Sequence, residues 1–288
     1  MLKKRVIASL FIKNGIVVQS KNFNEYLPVG KPEIAAEAFN AWGVDEVFLM
    51  DIDSTKENRS INLDIVQKVA AKCLVPLTVG GGVINVDMVG KLLEVGADKV
   101  CINNVLGTSI KILEDGRKKF GAQCMIAAID STFVSGTYSV YDYRRSKSTK
   151  VPISSAIKKY IHAGAGELFL NDVDRDGSYR GYDLKLVQMV ADASSVPVIC
   201  CGGAGTPSDI LEVLKNTSVS AAAAGNIFHF NEHSITIVKA RVGKEVPLRQ
   251  DTQFTYSAMP ISSTGRVGRL SDCELENLLY EKIKVEKI

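Results

Sequence analysis

Two stretches of this chain place glycines where a phosphate would need them. Pro76-Leu-Thr-Val-Gly-Gly-Gly-Val83 and Pro197-Val-Ile-Cys-Cys-Gly-Gly-Ala204 each run from an apolar, β-branched segment into a glycine turn, with their prolines 121 residues apart. A turn without Cβ atoms lets backbone N–H groups approach an anion closely, and a helix N-terminus just beyond it favours negative charge. The bland alternative is that the glycines only permit tight strand–helix packing. The recurrence of the turn favours the phosphate reading, and two such turns suit a ligand with a phosphate at each end. Other apolar runs also end in groups able to move or hold a proton: Asp51, Asn103, Asp130 and the Asp174–Gly177 turn.

Metal chemistry is not indicated. The six cysteines (73, 101, 124, 200, 201 and 273) mostly lie in apolar segments without paired ligand spacing, and reduced, buried thiols are the expectation. Cys200 and Cys201 are neighbours on a predicted strand and should face opposite ways. His162, His229 and His233 are scattered, and His229, inside Phe228-His-Phe230, reads as a packed or capping residue. No cofactor is implied.

The elements that must position these groups alternate. Predicted strands run over Arg5–Ile12, Glu46–Met50, Pro76–Val79, Lys99–Ile102, Cys124–Ile129, Glu167–Leu170, Pro197–Cys201 and Val219–Ala223. Helical patterns follow at Pro32–Trp42, Asn62–Lys72, Val86–Val95, Ser109–Phe120, Ile153–Ala163, Asp183–Ala193, Pro207–Asn216 and Ser234–Arg241. Lys13–Lys31 reads as a long, functional connection, and Val134–Tyr143 as a small inserted hairpin. The strands are near-continuously apolar, as in parallel sheets covered on both faces. The repeat extends to Gly43-Val-Asp-Glu-Val-Phe-Leu and Gly164-Ala-Gly-Glu-Leu-Phe-Leu, whose glutamates Glu46 and Glu167 are again 121 apart. The fold class is therefore α/β: a single (β/α)8 TIM barrel of two repeated half-barrels over residues 1–248, with a doubly wound open sheet as runner-up. Residues 249–288 form a C-terminal extension, polar to Leu270, with a final helix from a capping-box pattern at Ser271.

The chain has 288 residues, 46% of them hydrophobic, enough for one large core. Its formal charge of +3, without a basic stripe interleaved with aromatics, argues against nucleic acid. No apolar run approaches the ~20 residues of a membrane span, and the N-terminal run breaks at Lys13-Asn-Gly15, too early for a signal segment. A cytoplasmic protein is expected.

In such barrels the active site lies at the C-terminal strand ends, here Phe11, Asp51, Gly80–Gly82, Asn103, Asp130, Asp174–Gly177, Cys201–Gly203 and Ala224–Gly225. Over almost all of residues 1–248 the chain resembles the cyclase subunit of imidazole glycerol phosphate synthase. The resemblance rests on Pro76-Leu-Thr-Val-Gly-Gly-Gly82, Gly96-Ala-Asp-Lys-Val-Cys-Ile-Asn103, Ala128-Ile-Asp130, Asp174-Arg-Asp-Gly177 with Gly181-Tyr-Asp183, Gly202-Gly-Ala-Gly205 and Phe228-His-Phe230. It implies a barrel that receives ammonia from a separate glutaminase subunit docked at the N-terminal face. The ammonia crosses the interior and reacts with a bis-phosphorylated ribulosyl intermediate at the other end. The implied entrance gate is a ring of two acids and two bases, matched by Arg5, Glu46, Lys99 and Glu167, with Asp98 on the docking surface. Each lies at or beside a predicted strand start; a salt-bridge plug is the bland alternative. Implied ligand contacts are Gly81, Gly82, Asn103, Asn104, Asp176, Gly177, Gly202, Gly203, Ala224 and Gly225.

The departures lie at one end. The resemblance implies two catalytic aspartates; the second is Asp130, but position 11 is Phe11, which cannot exchange a proton. Gln19 replaces a lysine of the first loop, and Asn104 and Gly225 replace hydroxyl residues. An unaltered ammonia entrance with an altered substrate end points to a branch in which barrel and glutaminase deliver ammonia to a separate amidotransferase, converting an N-acetyl group on a surface-polysaccharide sugar to an acetamidino group. The alternatives are a histidine-pathway cyclase with Asp51, Asp176 or Asp130 serving as substitute, a phosphate-ligand-binding scaffold, and an isomerase of the related half-barrel family.

Overall fold

The computed structural model describes residues 3–249, 256 and 260–268. Eight parallel strands close on themselves: β1 (Arg5–Lys13), β2 (Glu46–Asp51), β3 (Leu77–Gly80), β4 (Lys99–Ile102), β5 (Met125–Val134), β6 (Glu167–Asp172), β7 (Val198–Cys201) and β8 (Ala221–Ala224). Each pairs with the next, and closure comes from Arg5–Ala8 of β1 against Ala221–Ala224 of β8. A helix follows every strand: α1 (Pro32–Ala41), α2 (Leu63–Ala70), α3 (Val86–Glu94), α4 (Lys111–Phe120), α5 (Ile153–Ala163), α6 (Leu184–Ala193), α7 (Pro207–Asn216) and α8 (Ser234–Val242). Their starts are written locally. Asn62, Asn85 and Asp183 accept a first-turn N–H, and Thr206 forms a reciprocal capping box with Asp209.

Alternation along the strands divides the core in two. Val6, Ala8, Leu10 and Ile12 of β1 face the helical layer, whereas Ile7 and Phe11 join Phe48, Ile126, Phe169 and Ile199 inside the barrel. Cys200 and Cys201 do face opposite ways, one in each cluster. The repeat is visible in the interior: Phe48 and Phe169, 121 residues apart, stack at 4.6 Å and 20° across the middle of the barrel.

Lys13–Lys31 differs from its expectation as a long connection. It is an antiparallel ribbon, Ile16–Lys21 with Glu25–Gly30, that continues β1 directly. Asn14 (φ 51°) and Gly15 (φ 78°) are both left-handed, as a two-residue hairpin turn requires, and Asn-Gly supplies that conformation most readily. The inserted hairpin is also larger than expected: β5 extends to Val134 and pairs with Thr137–Asp142, which pairs with Lys147–Pro152. The final helix expected from Ser271 lies outside the described residues, as does Cys273. Among the described residues no helix is long and apolar enough to cross a membrane, and no cluster of three or more His, Cys, Asp or Glu is placed to hold a metal ion.

Candidate functional site

At the N-terminal mouth, four strand-start residues meet. Arg5 Nη1 donates to Glu46 Oε2 at 2.7 Å and its Nη2 to Glu167; Lys99 Nζ reaches Glu46 at 3.1 Å and Glu167 Oε2 at 3.0 Å. Each base thus touches both acids, and the ring closes. Burial disfavours charge on Arg5, but Glu167 and then Glu46 outweigh it and push its pKa up. Glu46, fully buried, also accepts from Thr78 Oγ1 at 2.7 Å, the next polar group inward. Charge-assisted bonds of this kind fix side-chain geometry as well as compensating buried charge. Asp98 stands beside the ring, exposed, its Oδ2 accepting from Leu77 N at 2.8 Å.

At the C-terminal end lies a cavity of about 280 Å³. Cys101, Ala128 and Phe169 form its floor, Phe11 and Met50 one wall, and Phe23, Tyr26 and Tyr143 a partial cover. The cover joins two segments: Phe23 of the first ribbon meets Tyr141 and Tyr143 of the insertion edge-on, at 6.2 and 5.7 Å. Asp130 and Asn171 stand at the floor. Asn103 Nδ2 donates to Asp130 Oδ2 at 2.7 Å, and Asn171 Nδ2 approaches Oδ1 at 3.5 Å. Burial raises the Asp130 carboxyl to about 6, against these two amides. Asn171 is 4% exposed and its Oδ1 has no partner. An unpaired buried acceptor costs about 1–3 kcal/mol, so this corner invites a donor from a ligand.

The two glycine turns are built alike. Asp51, ending β2, accepts from the amides of Asp53 and Ser54, and Asp172, ending β6, from that of Asp174. A Cβ on Gly81 would lie 2.5 Å from Asp51 O, and one on Gly202 2.6 Å from Asp172 O. Close backbone packing therefore demands glycine at both, whatever else the turns do. They differ in access. Gly81 and Gly82 line the cavity with Asn103 and Asn104, whereas Gly202 and Gly203 are buried and take no part in it. Ala224 and Gly225 are likewise outside the lining, and a Cβ on Gly225 would meet the Phe11 ring at 3.4 Å.

Asp176 and Gly177 are turned to the ribbon. Asp176 Oδ2 accepts from Ser20 Oγ at 2.6 Å and Phe23 N at 3.1 Å, and a Cβ on Gly177 would strike Ser20 O at 2.2 Å. Asp51 is held by Arg59 Nη1 at 2.6 Å. Of the three acids considered as stand-ins for an aspartate at position 11, only Asp130 lies at the cavity floor without a cation on it. Gln19 spends its amide on Asn226 O at 3.0 Å. Reasoning from sequence missed Arg59, Asn171 and Asn226; Asn171 directly follows the predicted strand Glu167–Leu170, where site residues are expected, whereas no local pattern marks the other two. His229 is packed as expected, 5.5 Å from the Phe39 ring, and burial lowers its pKa to about 4.

Comparison with known proteins was consistent across the barrel. A family model described as "Histidine biosynthesis protein" matches residues 5–234. The chain is 41% identical over 243 residues, 84% of its length and 96% of the relative's, to "Imidazole glycerol phosphate synthase subunit HisF" of Bacillus cereus (strain G9842). It is 38% identical over 239 residues, 83% of its length and 95% of the relative's, to the protein of the same name from Natranaerobius thermophilus. It is also 38% identical over 267 residues to "Putative imidazole glycerol phosphate synthase subunit hisF2" of Vibrio vulnificus (strain YJ016), covering 92% of this chain and 98% of that protein. That match is longer than residues 1–248 and so runs into the C-terminal extension.

Proposed function

The chain belongs to the histidine biosynthesis protein family, and we propose that within it this protein is the ammonia-conducting subunit of a glutamine-dependent complex. A glutaminase subunit docks at the N-terminal mouth, around Asp98 and the ring of Arg5, Glu46, Lys99 and Glu167. Ammonia released there enters the barrel and leaves beside Asp130. A separate amidotransferase uses it to convert an N-acetyl group on a surface-polysaccharide sugar to an acetamidino group. The observation that carries this reading is the asymmetry between a complete charged ring at one end and Phe11 at the other, its ring packed against Gly225 where a proton-transfer group would be needed. No metal or cofactor enters this reading.

The second reading is the cyclase step of histidine biosynthesis, favoured by the names of all three relatives. The two separate in one assay. Given ammonium and the bis-phosphorylated ribulosyl intermediate, the chain is expected to form imidazole glycerol phosphate at least about 10²–10⁴ times more slowly than a member with both aspartates. Turnover at the ordinary rate would establish the cyclase and remove the first reading.

A further inference from the structure

The cover of the cavity carries positive charge that its own acids do not neutralise. Lys56, in the loop after β2, stands 4.2 Å over the Tyr143 ring, and among the described residues no carboxylate forms an ion pair with it. Arg144, which lines the cavity, has Asp142 only at 3.9 Å and shares that carboxylate with Arg145 at 3.7 Å. Arg59, the other base in the lining, is already committed to Asp51 and Glu57. The cover is also held in place. Tyr143 meets Phe23 edge-on, and the ribbon that carries Phe23 is tied from two sides. Ser20 N donates to Asn226 Oδ1 at 3.1 Å and Asn226 Nδ2 to Ser20 O at 2.6 Å, while the Asp176 carboxylate takes Ser20 Oγ and Phe23 N.

The opposite pole is the floor. Asn171 turns Nδ2 toward Asp130, which leaves its buried Oδ1 an acceptor with no donor. Beside it Cys101, Ala128 and Phe169 make an apolar patch. One acceptor set against an apolar patch matches an acetamido group, whose N–H donates and whose methyl gains from burial. A hydroxyl would satisfy the acceptor alone.

We infer that this cup seats an N-acetylated sugar with an anionic group across the ring, its acetamido N–H on Asn171 Oδ1 and its anion at Lys56 and Arg144. This names the substrate class for the conduit proposed above and rests on that reading. Ammonia released into bulk water at neutral pH is protonated and loses the lone pair with which it attacks. An acceptor seated beside Asp130 meets it before that happens. At about 280 Å³ the cavity suits one sugar ring rather than a chain of them.

The test is calorimetric titration of the full chain with N-acetylglucosamine 6-phosphate, the corresponding uronic acid, neutral N-acetylglucosamine and 2-deoxyglucose 6-phosphate. One of the two acetylated anions should bind about tenfold tighter than the neutral sugar, which identifies the anion. N-acetylglucosamine 6-phosphate should also bind about tenfold tighter than the deoxy sugar, which has no donor for Asn171. Lys56→Ala combined with Arg144→Ala, both exposed positions, should abolish the preference for an anion with the melting temperature unchanged. Asn171→Leu should abolish the preference for the acetamido group. Where that variant fails to fold, the two 6-phosphates on the unaltered chain read the same contact. Equal binding of those two sugars would overturn the inference, as would binding indifferent to the double substitution or absent up to about 10 mM. Glutamine-driven ammonia transfer by the complex is measured separately. Transfer without sugar binding removes this inference alone, and sugar binding without transfer removes the conduit.

Discussion

The two ends of the barrel handle buried polar groups in opposite ways. At the N-terminal mouth each of four charges has two opposite partners, and Thr78 takes a further position on Glu46. At the C-terminal end Asp130 holds a carboxyl raised to about 6 with only amides beside it, and Asn171 leaves an acceptor unpaired. A buried network that satisfies itself is complete as a structure and needs no ligand to justify it. A buried group left short carries that cost until a ligand or water meets it. The contrast separates a mouth closed by its own ion pairs from a cavity that leaves a polar group unpartnered.

Breaking the ring should have the largest effect. Glu46 is 1% exposed and binds Arg5, Lys99 and Thr78 at once, so Glu46→Ala leaves two half-buried cations sharing Glu167 alone. Removing one partner of a buried ion pair costs about 3–5 kcal/mol, and urea unfolding should show a loss of that size. A loss near zero would mean that water already solvates the ring and that the N-terminal end is open rather than closed. The matching change at the other end should act with opposite sign. Asp130 has a folded pKa raised from 3.8 to about 6 by burial, so the fold favours its protonated form. Its contribution is fully present below pH ~3.8 and is lost as pH rises through about 6, leaving a buried charge as a cost above that. Asp130→Asn should therefore stabilise the protein at pH 8 by on the order of 2 kcal/mol and change little at pH 4, in melts at both values. A destabilised variant at pH 8 would show that the carboxylate is structurally satisfied and that the two ends are not opposites.

The sequence made the ring easier to foresee than the cup. Glu46 and Glu167 recur at a fixed spacing and open predicted strands, and strand direction alone then puts them at one mouth with Arg5 and Lys99. The glycine turns were visible for the same reason, as was the stacking of Phe48 on Phe169 in principle, since they too form a repeat pair. What covers each turn was not visible. Asn226 and Ser20 are 206 residues apart, and no periodicity connects them. Asn14-Gly15 is a hairpin signal, but Glu25–Gly30, exposed and interrupted by Pro28, does not read as a strand, because a ribbon standing above a barrel buries little and shows little alternation. The resemblance at Gly202-Gly-Ala-Gly205 implies a second anion site, and there Gly202 and Gly203 are buried beneath the surrounding loops, outside the cavity lining.

That closure supplies the finest test of the comparison. Asn226→Ala removes the two side-chain bonds to Ser20 but leaves Gln19 on the backbone carbonyl of residue 226 and the Asp176 contacts in place. The net cost should be about 1–2 kcal/mol, concentrated in the ribbon rather than spread over the barrel. Amide hydrogen exchange should therefore quicken at Ser20 and its ribbon neighbours, while the amides of Arg5, Glu46 and Glu167 keep their protection. Such a result would confine the cup's adjustability to its own end, with the ring as a fixed base. Faster exchange at the strand starts as well would show that the stack of Phe48 and Phe169 transmits the change along the barrel axis. The two ends would then be one coupled unit, and a ligand in the cup would necessarily alter the strength of the ring.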